Sequence, residues 1–200
     1  MTPTTPTDTL HRSTPRWVRL CFGLLWLTFT TYAFLGAPAE DSQTVDLILQ
    51  LSTGQWQGLN AWVVALFNAM GLWPIAFASL LLWDGHLRQG LPAWPFVMAS
   101  FGLGAFAVLP YLVLRSPLPS QESSAPSALL KGLKSPWLWT GLAVGACLLL
   151  LYGWTQGDGS DFVVQWRSQR FIHVMTLDFC LLTLLFLFLV RTDLRRSDQA

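Results

Sequence analysis

Charged side chains are scarce in this 200-residue sequence. Asp, Glu, Lys and Arg make up 12% of the residues, whereas a soluble domain carries about 25%. Hydrophobic residues make up 52%, and the mean hydropathy is +0.45. The net charge of +1 excludes a general nucleic-acid binder, which needs a clustered basic face, and the apolar content excludes a disordered chain. The composition therefore indicates a membrane protein.

Cysteine is also rare, and the common catalytic motifs are missing. Cys21, Cys147 and Cys180 all fall in apolar runs and include no CxxC pair. We therefore expect small hydrophobic side chains rather than a disulfide framework or a zinc site. The sequence contains no Walker A motif, GxGxxG, GxSxG or HExxH. No self-contained catalytic constellation and no metal site are predicted.

Long apolar runs dominate the rest of the chain. Five of them have about 20 residues, enough for a helix to cross the hydrocarbon core of a bilayer. The only acidic residue inside any of these runs is Asp178, in the fifth. The sequence therefore predicts an all-α integral membrane bundle of about five transmembrane helices. The predicted spans are residues 18–35, 61–83, 93–114, 136–154 and 171–190.

The segments outside these spans are more polar. Residues 1–16 are rich in Thr and Pro and predict a disordered tail, and residues 193–200 predict a polar C-terminal tail. A single transmembrane domain is thus expected over 17–192. The Ser- and Pro-rich segment 116–135 predicts a mobile linker. Residues 44–59 are too polar to span and are expected to lie along the interface. Their lipid-facing side chains are predicted to be Val45, Leu47, Ile48 and Leu51.

Basic residues give a partial indication of orientation. Arg12, Arg16 and Arg19 lie at the start of the first span, and the loop that follows it carries acidic residues but no basic one. The positive-inside rule therefore places the N-terminus in the cytoplasm. Counted over all loops, however, six basic residues fall on each side. The balance over the whole chain does not distinguish the two orientations.

Small and aromatic residues suggest how the helices pack. Trp26 and Trp73 lie deep within their spans, and we expect both to pack between helices. Small residues recur at four-residue spacing, which is typical of close helix contacts in lipid. Contact between helices of one chain is expected to use these small residues, rather than a specific dimer face. The pairs are Ser100 with Gly104 and Gly141 with Gly145.

Asp178 is the strongest single candidate for function. A carboxylate inside a membrane helix is costly, so it normally faces a partner or a wet cavity. One interpretation is structural, with Asp178 hydrogen-bonded to another helix, for instance near Asn68. The other is a role in proton handling or ligand contact.

Two further polar residues lie in spans. His173 is five residues before Asp178 and about 140° away around the helix axis, so the two side chains do not share a face. It is either a hydrogen-bonded imidazole near the interface or an axial ligand to a pigment or haem. Asn68 must also find partners in lipid, either on a neighbouring helix or on a ligand.

Three stretches of the sequence resemble a family of small integral membrane proteins of cyanobacteria and plastids, whose function is not established. They are LFNAMGLWPIAFASLLLWDG (66–85), LPAWPFVMASFGLGAFAVLPYLVLR (91–115) and FIHVMTLDF (171–179). The resemblance covers about half the chain. It implies a thylakoid or a cyanobacterial plasma membrane, but it carries no mechanism. The positions that match the family pattern are Asn68, Gly71, Trp73, Pro74, Asp84, His173 and Asp178.

Three hypotheses follow for the function. The first is a non-catalytic accessory or assembly factor of a photosynthetic membrane, with a larger membrane complex as its partner. The second is an enzyme or binder for a lipophilic isoprenoid or pigment, with chlorophyll or a carotenoid as candidate ligands. In that case Asp178, His173 and Asn68 would meet at a cavity between helices, with the carboxylate as acid or base. The third is a small transporter, which the lack of an internal repeat disfavours.

Overall fold

The computed structural model describes residues 16–39, 42–86, 91–115 and 132–197, and its regular elements in these ranges are all helical. For residues 83–86 and 192–197 it describes the backbone alone. A π-helical turn, Tyr32–Gly36, extends the first helix. The helices are α1 (Arg16–Thr31), α2 (Thr44–Thr53), α3 (Ala61–His86), α4 (Trp94–Leu103), α5 (Ala105–Leu114), α6 (Pro136–Gln156), α7 (Gly159–Ser168) and α8 (Arg170–Ser197).

Four of the predicted spans are continuous helices. Each is long and apolar enough to cross a membrane, which confirms an all-α integral membrane protein. Helix α8 continues through residues 193–197, which were predicted as part of a polar tail. The Thr/Pro-rich tail up to residue 15 and most of the predicted linker, 116–131, lie outside the described residues. The four helices run over Arg16–Gly36, Ala61–Leu82, Pro136–Gln156 and Arg170–Arg191.

The remaining span, predicted as one helix over 93–114, is broken in the middle. Helices α4 and α5, of ten residues each, meet at Gly104. The backbone of Gly104 has φ +50° and ψ −127°, a conformation that residues other than glycine rarely adopt. Gly104 was predicted to be a packing residue; it lies close to another helix, and it also allows this break.

The main apolar core lies where α1, α3, α5 and α8 meet. Its fully buried side chains include Phe77, Leu109 and Leu182. Both deep tryptophans pack between helices, as predicted. Trp26 donates a hydrogen bond from Nε1 to the carbonyl oxygen of Phe106 over 3.1 Å. Trp73 lies between aromatic rings on α3 and α8, which are those of Phe77, Phe179 and Phe186.

Helix α6 packs against α3 through Gly153 and through one member of the predicted pair, Gly145. A Cβ atom at Gly153 would lie 2.7 Å from a ring carbon of Trp62, so only glycine fits there without a shift. Gly145 makes an ordinary contact with Leu72 on α3, whereas a Cβ at Gly141 would meet no atom within 4 Å. Gly141 therefore faces away from the packed helices, and the predicted pair of small residues is only half used.

Helices α2 and α7 flank the bundle at one end. Leu51 was predicted to face lipid, but it is only 2% exposed and packs into a second apolar cluster with Val63 and Ile172. The reason is that α2 lies against the ends of α3 and α8 and buries one face there. Asp158 is the N-cap residue of helix α7. Its carboxylate accepts hydrogen bonds from Ser160 and from the amide of Asp161. The Ser160 side chain and these amides lower the pKa of Asp158 below its usual value.

Candidate functional site

The break between α4 and α5 creates a second helix N-terminus at membrane depth. Helix α4 ends with a 2.9 Å hydrogen bond from the Gly104 amide to the carbonyl oxygen of Ser100. The first amides of α5 then have no carbonyl in a preceding turn to bind. Water could satisfy them in a soluble protein, but the bilayer core offers none. This N-terminus therefore needs an acceptor from elsewhere in the chain.

Asp178 of α8 supplies that acceptor. Its Oδ1 accepts a 2.8 Å hydrogen bond from the backbone amide of Ala105, the first residue of α5. A carboxylate is favoured at a helix N-terminus because the helix dipole is positive there. The side chain is 5% exposed and lies directly against Gly104, where any added Cβ would collide with the carboxylate. Gly104 is thus required both by its backbone angles and by the close approach of Asp178.

The second carboxylate oxygen is used differently. Oδ2 of Asp178 accepts no hydrogen bond from any residue that the structure describes. Asp178 also lines a cavity of about 470 Å³, which we call the Asp178 cavity. A ligand in this cavity that carries a hydroxyl or amine could therefore donate a hydrogen bond to the carboxylate without displacing Ala105.

The Asp178 cavity extends from one end of the bundle toward the middle of the membrane. Arg170 and Thr44, the first residues of α8 and α2, lie at its outer end. Asp178 is eight residues further along α8, which corresponds to a depth of about 12 Å. Arg170 is oriented by a 2.8 Å hydrogen bond from Nε to the carbonyl oxygen of Pro38. Most of the wall is apolar and includes Phe67, Met70, Gly71, Phe101, Gly102 and Val174.

His173 is buried and fully hydrogen-bonded away from this cavity. Nδ1 lies 2.9 Å from the carbonyl oxygen of Trp166, and Nε2 lies 2.9 Å from the hydroxyl of Tyr32. A carbonyl can only accept, so Nδ1 donates to Trp166, while Nε2 is paired with the tyrosine hydroxyl. The Trp166 ring also stacks on the imidazole, with centroids 4.5 Å apart. These contacts join α1, α7 and α8, and they leave neither nitrogen free to ligate a pigment or haem.

The side chain of Asn68 is hydrogen-bonded within its own helix, α3. Its Nδ2 donates a 2.8 Å hydrogen bond to the carbonyl oxygen of Val64. It does not bind Asp178, whose Oδ1 accepts a hydrogen bond from the Ala105 amide. Among the lining residues of the Asp178 cavity are neither Asn68 nor His173. The structure therefore does not bring together the three residues predicted to share a site.

Metal chemistry finds no support in the described part of the chain. There, no group of three or more His, Cys, Asp or Glu side chains could hold a metal ion. The cysteines Cys21, Cys147 and Cys180 are free and exposed. Asp84, which matches the family pattern, and the nearby His86 lie on the last turn of α3. Only the backbone is described there.

The sequence did not reveal Gly104 or Ala105 as parts of the site. A glycine in an apolar run is common in membrane helices, and a backbone amide carries no signature in the sequence. The one usable signal was the combination of a buried carboxylate in one span with a glycine-rich run, FGLGAF, at the centre of another. A buried carboxylate needs hydrogen-bond donors, and a helix that breaks in the membrane leaves amides that need acceptors. Each feature can therefore satisfy the other.

Removal of the Asp178 carboxylate should destabilise the bundle. We expect Asp178→Ala to cost about 1–3 kcal/mol, because the Ala105 amide is left buried without an acceptor. Asp178→Asn should cost less, since an amide oxygen can replace Oδ1. Thermal unfolding of the two variants in the same detergent measures the difference. Equal melting temperatures for the Ala variant and the unmodified protein would contradict the capping role.

Comparisons of the chain with protein-family models, with curated proteins and with solved structures find no match.

Proposed function

We propose that this chain is a non-catalytic integral membrane protein that holds a lipophilic molecule in the Asp178 cavity. The observation that carries this proposal is the position of the cavity at a capped helix break, with one carboxylate oxygen left for a ligand. Apolar walls with a few convergent polar groups are typical of small-molecule sites, and the volume of about 470 Å³ falls in their usual range of about 300–1,000 Å³.

The cost of the break supports a ligand-binding role. Irregular backbone at membrane depth is tolerated where it is buried in protein or lines a cavity. Here Gly104 and Asp178 are buried and also line the cavity. An unbroken α-helix over 93–114 would need neither a glycine with positive φ nor an intramembrane carboxylate. The break therefore serves to shape the cavity rather than to stabilise the bundle.

The arrangement favours binding over acid–base catalysis. A general acid or base needs to reach the proton of a bound substrate, usually with a second group to complete the reaction. His173 is held by Tyr32 and Trp166 away from the cavity, and Oδ1 of Asp178 is held by Ala105. A single carboxylate oxygen remains, which can orient a ligand by one hydrogen bond.

The discontinuous helix also bears on the transporter hypothesis. In many transporters a half-helix N-terminus near the midplane faces an anionic substrate. In this chain the N-terminus of α5 is occupied by the carboxylate of Asp178. A bound anion would have to compete with that carboxylate, so a stable binding site is the better interpretation.

Filling the cavity should release its ligand. Gly71 and Gly102 line the Asp178 cavity, and a Cβ at either position would meet no atom within 4 Å. We expect the purified protein to retain about one lipophilic molecule per chain, and Gly71→Phe or Gly102→Phe to reduce that amount at least tenfold. Gly141→Phe is the matched control, since Gly141 also has open space but does not line this cavity.

The measurement is native mass spectrometry in a mild detergent, with a visible absorption spectrum and an organic extract of each sample. A colour that copurifies in stoichiometric amount would identify the ligand as a pigment. A protein that carries no lipophile, or Phe variants that retain it as well as the Gly141 control does, would contradict the proposal.

We further propose that the protein acts as an accessory or assembly factor of a photosynthetic membrane. Its support is the resemblance of residues 66–85, 91–115 and 171–179 to the small membrane proteins of cyanobacteria and plastids. Helix α6 also presents large apolar side chains outward, among them Trp137, Leu148 and Leu151. That face is available for lipid or for a neighbouring subunit.

The accessory role predicts that the protein migrates with a larger membrane complex. Gentle extraction of source membranes followed by native gel electrophoresis and immunodetection tests this directly. Recovery only as a free small protein would contradict the accessory role and leave the ligand-binding proposal unaffected.

A further inference from the structure

A second cavity lies at the end of the bundle where the Asp178 cavity has its outer end. Its volume is about 630 Å³, and we call it the polar cavity. It lies between α2, the turn before α3, and α7. Its wall contains two carboxylates, from Asp46 and Asp161, and no Lys or Arg is among its described lining residues. The other polar groups are mainly carboxamides, from Gln43, Gln50, Asn60, Gln165 and Gln169.

The polar cavity and the Asp178 cavity adjoin each other. Thr44, the first residue of α2, lines both of them. A molecule with its polar part in one cavity and its apolar part in the other would therefore pass beside Thr44. Such a molecule is amphipathic, and it would lie with its headgroup at the end of the bundle and its tail along the apolar wall of the Asp178 cavity.

Hydrogen bonds made by side chains organise one side of the polar cavity. Oδ2 of Asp161 accepts hydrogen bonds from Nδ2 of Asn60 over 2.7 Å and from Nε2 of Gln165 over 2.6 Å. The same Asn60 nitrogen also binds the carbonyl oxygen of Asp158, and Asn60 Oδ1 accepts from the amide of Trp62. These bonds join the start of α3 to the start of α7. The wall is therefore arranged before any ligand enters.

The chemistry of this wall selects among headgroups. Asp46 and Asp161 repel an anionic group, and the described wall of the polar cavity has no cation to neutralise one. Arg170, at the outer end of the Asp178 cavity, is already hydrogen-bonded to the carbonyl oxygen of Pro38. Asp161 already accepts two hydrogen bonds, so it binds an ammonium group less well than a free carboxylate would. Carboxamides both donate and accept hydrogen bonds, as hydroxyl groups do. A neutral headgroup with several hydroxyls matches this wall best.

We propose that the chain binds a lipid with a neutral sugar headgroup, with the sugar in the polar cavity and part of the apolar tail in the Asp178 cavity. The inference rests on the proposed function, since it takes the Asp178 cavity to hold the tail. It adds the chemical class of the ligand and a second set of contacts, in which the carboxamide of Gln50 lines the space for the sugar.

The test compares lipids that share the same acyl chains and differ only in the headgroup. The probes are monoglucosyl diacylglycerol, phosphatidylcholine and phosphatidylglycerol, each added to delipidated full-length protein. Bound lipid is counted by native mass spectrometry. The detergent must not carry a sugar headgroup, because a maltoside would compete for the polar cavity. We expect the glucosyl lipid to bind at least tenfold more tightly than phosphatidylglycerol.

Two variants separate the headgroup from the tail. Gln50→Leu removes one carboxamide from the polar cavity at similar size, and it should reduce the preference for the glucosyl lipid at least threefold. Gln57→Leu, in an exposed turn that does not line the cavity, is its control. Gly102→Phe should weaken all three lipids alike because it fills the space for the tail.

Each outcome assigns a failure to one of the two proposals. Equal binding of the three lipids, with loss in Gly102→Phe, would overturn the sugar headgroup and leave the proposed function standing. Preferential binding of phosphatidylcholine or phosphatidylglycerol would overturn it in the same way. Binding of the glucosyl lipid that Gly102→Phe does not change would overturn the placement of the tail. No binding of any of the three lipids would overturn the lipid ligand, whereas the proposed function is overturned by a purified protein that carries no lipophile.

Discussion

The hydrogen bond from the Ala105 amide to Asp178 is the interaction on which the rest of this structure depends. A helix cannot end in the bilayer core unless its free amides find acceptors inside the protein. Asp178 provides one from a different helix, and the dipole of α5 offsets part of the cost of a carboxylate in lipid. Gly104 makes the arrangement sterically feasible, because a side chain there would collide with that carboxylate.

The two cavities follow from this break and from the helices at the end of the bundle. The break opens space between α3, α4 and α8, and the short helices α2 and α7 enclose a polar space beside its outer end. His173 contributes indirectly, since its bonds to Tyr32 and Trp166 connect the first helix to α7 and α8. One end of the molecule is thus organised around hydrogen bonds, whereas the other end is held by apolar packing around Phe77 and Leu182.

Much of the fold could be predicted from the sequence because membrane spans are a property of local composition. Runs of about 20 apolar residues predict helices wherever they occur, and four of the five are continuous. Asp178 could be recognised for the same reason, since a carboxylate in such a run is costly. The structure shows a hydrogen bond between Asp178 and another helix, as its structural interpretation expects, but the partner is a backbone amide and not the region of Asn68.

The features that could not be predicted depend on contacts between distant parts of the chain. A glycine such as Gly104 can continue a membrane helix or interrupt it, and the choice here depends on Asp178, which lies more than 70 residues away. The burial of Leu51 depends on how α2 lies against α3 and α8. The same holds for Gly153, whose close contact requires the ring of Trp62 on another helix. None of these partners leaves a periodic or spaced pattern in the sequence.

Amide hydrogen exchange at Ala105 tests the central claim most directly. In the unmodified protein the Ala105 amide should be as well protected as those in the middle of α5. In Asp178→Ala it should exchange at least tenfold faster, while the amides of Leu109 and Leu112 in the same helix remain protected. An Ala105 amide that exchanges freely in the unmodified protein, or that keeps its protection without the carboxylate, would contradict the account.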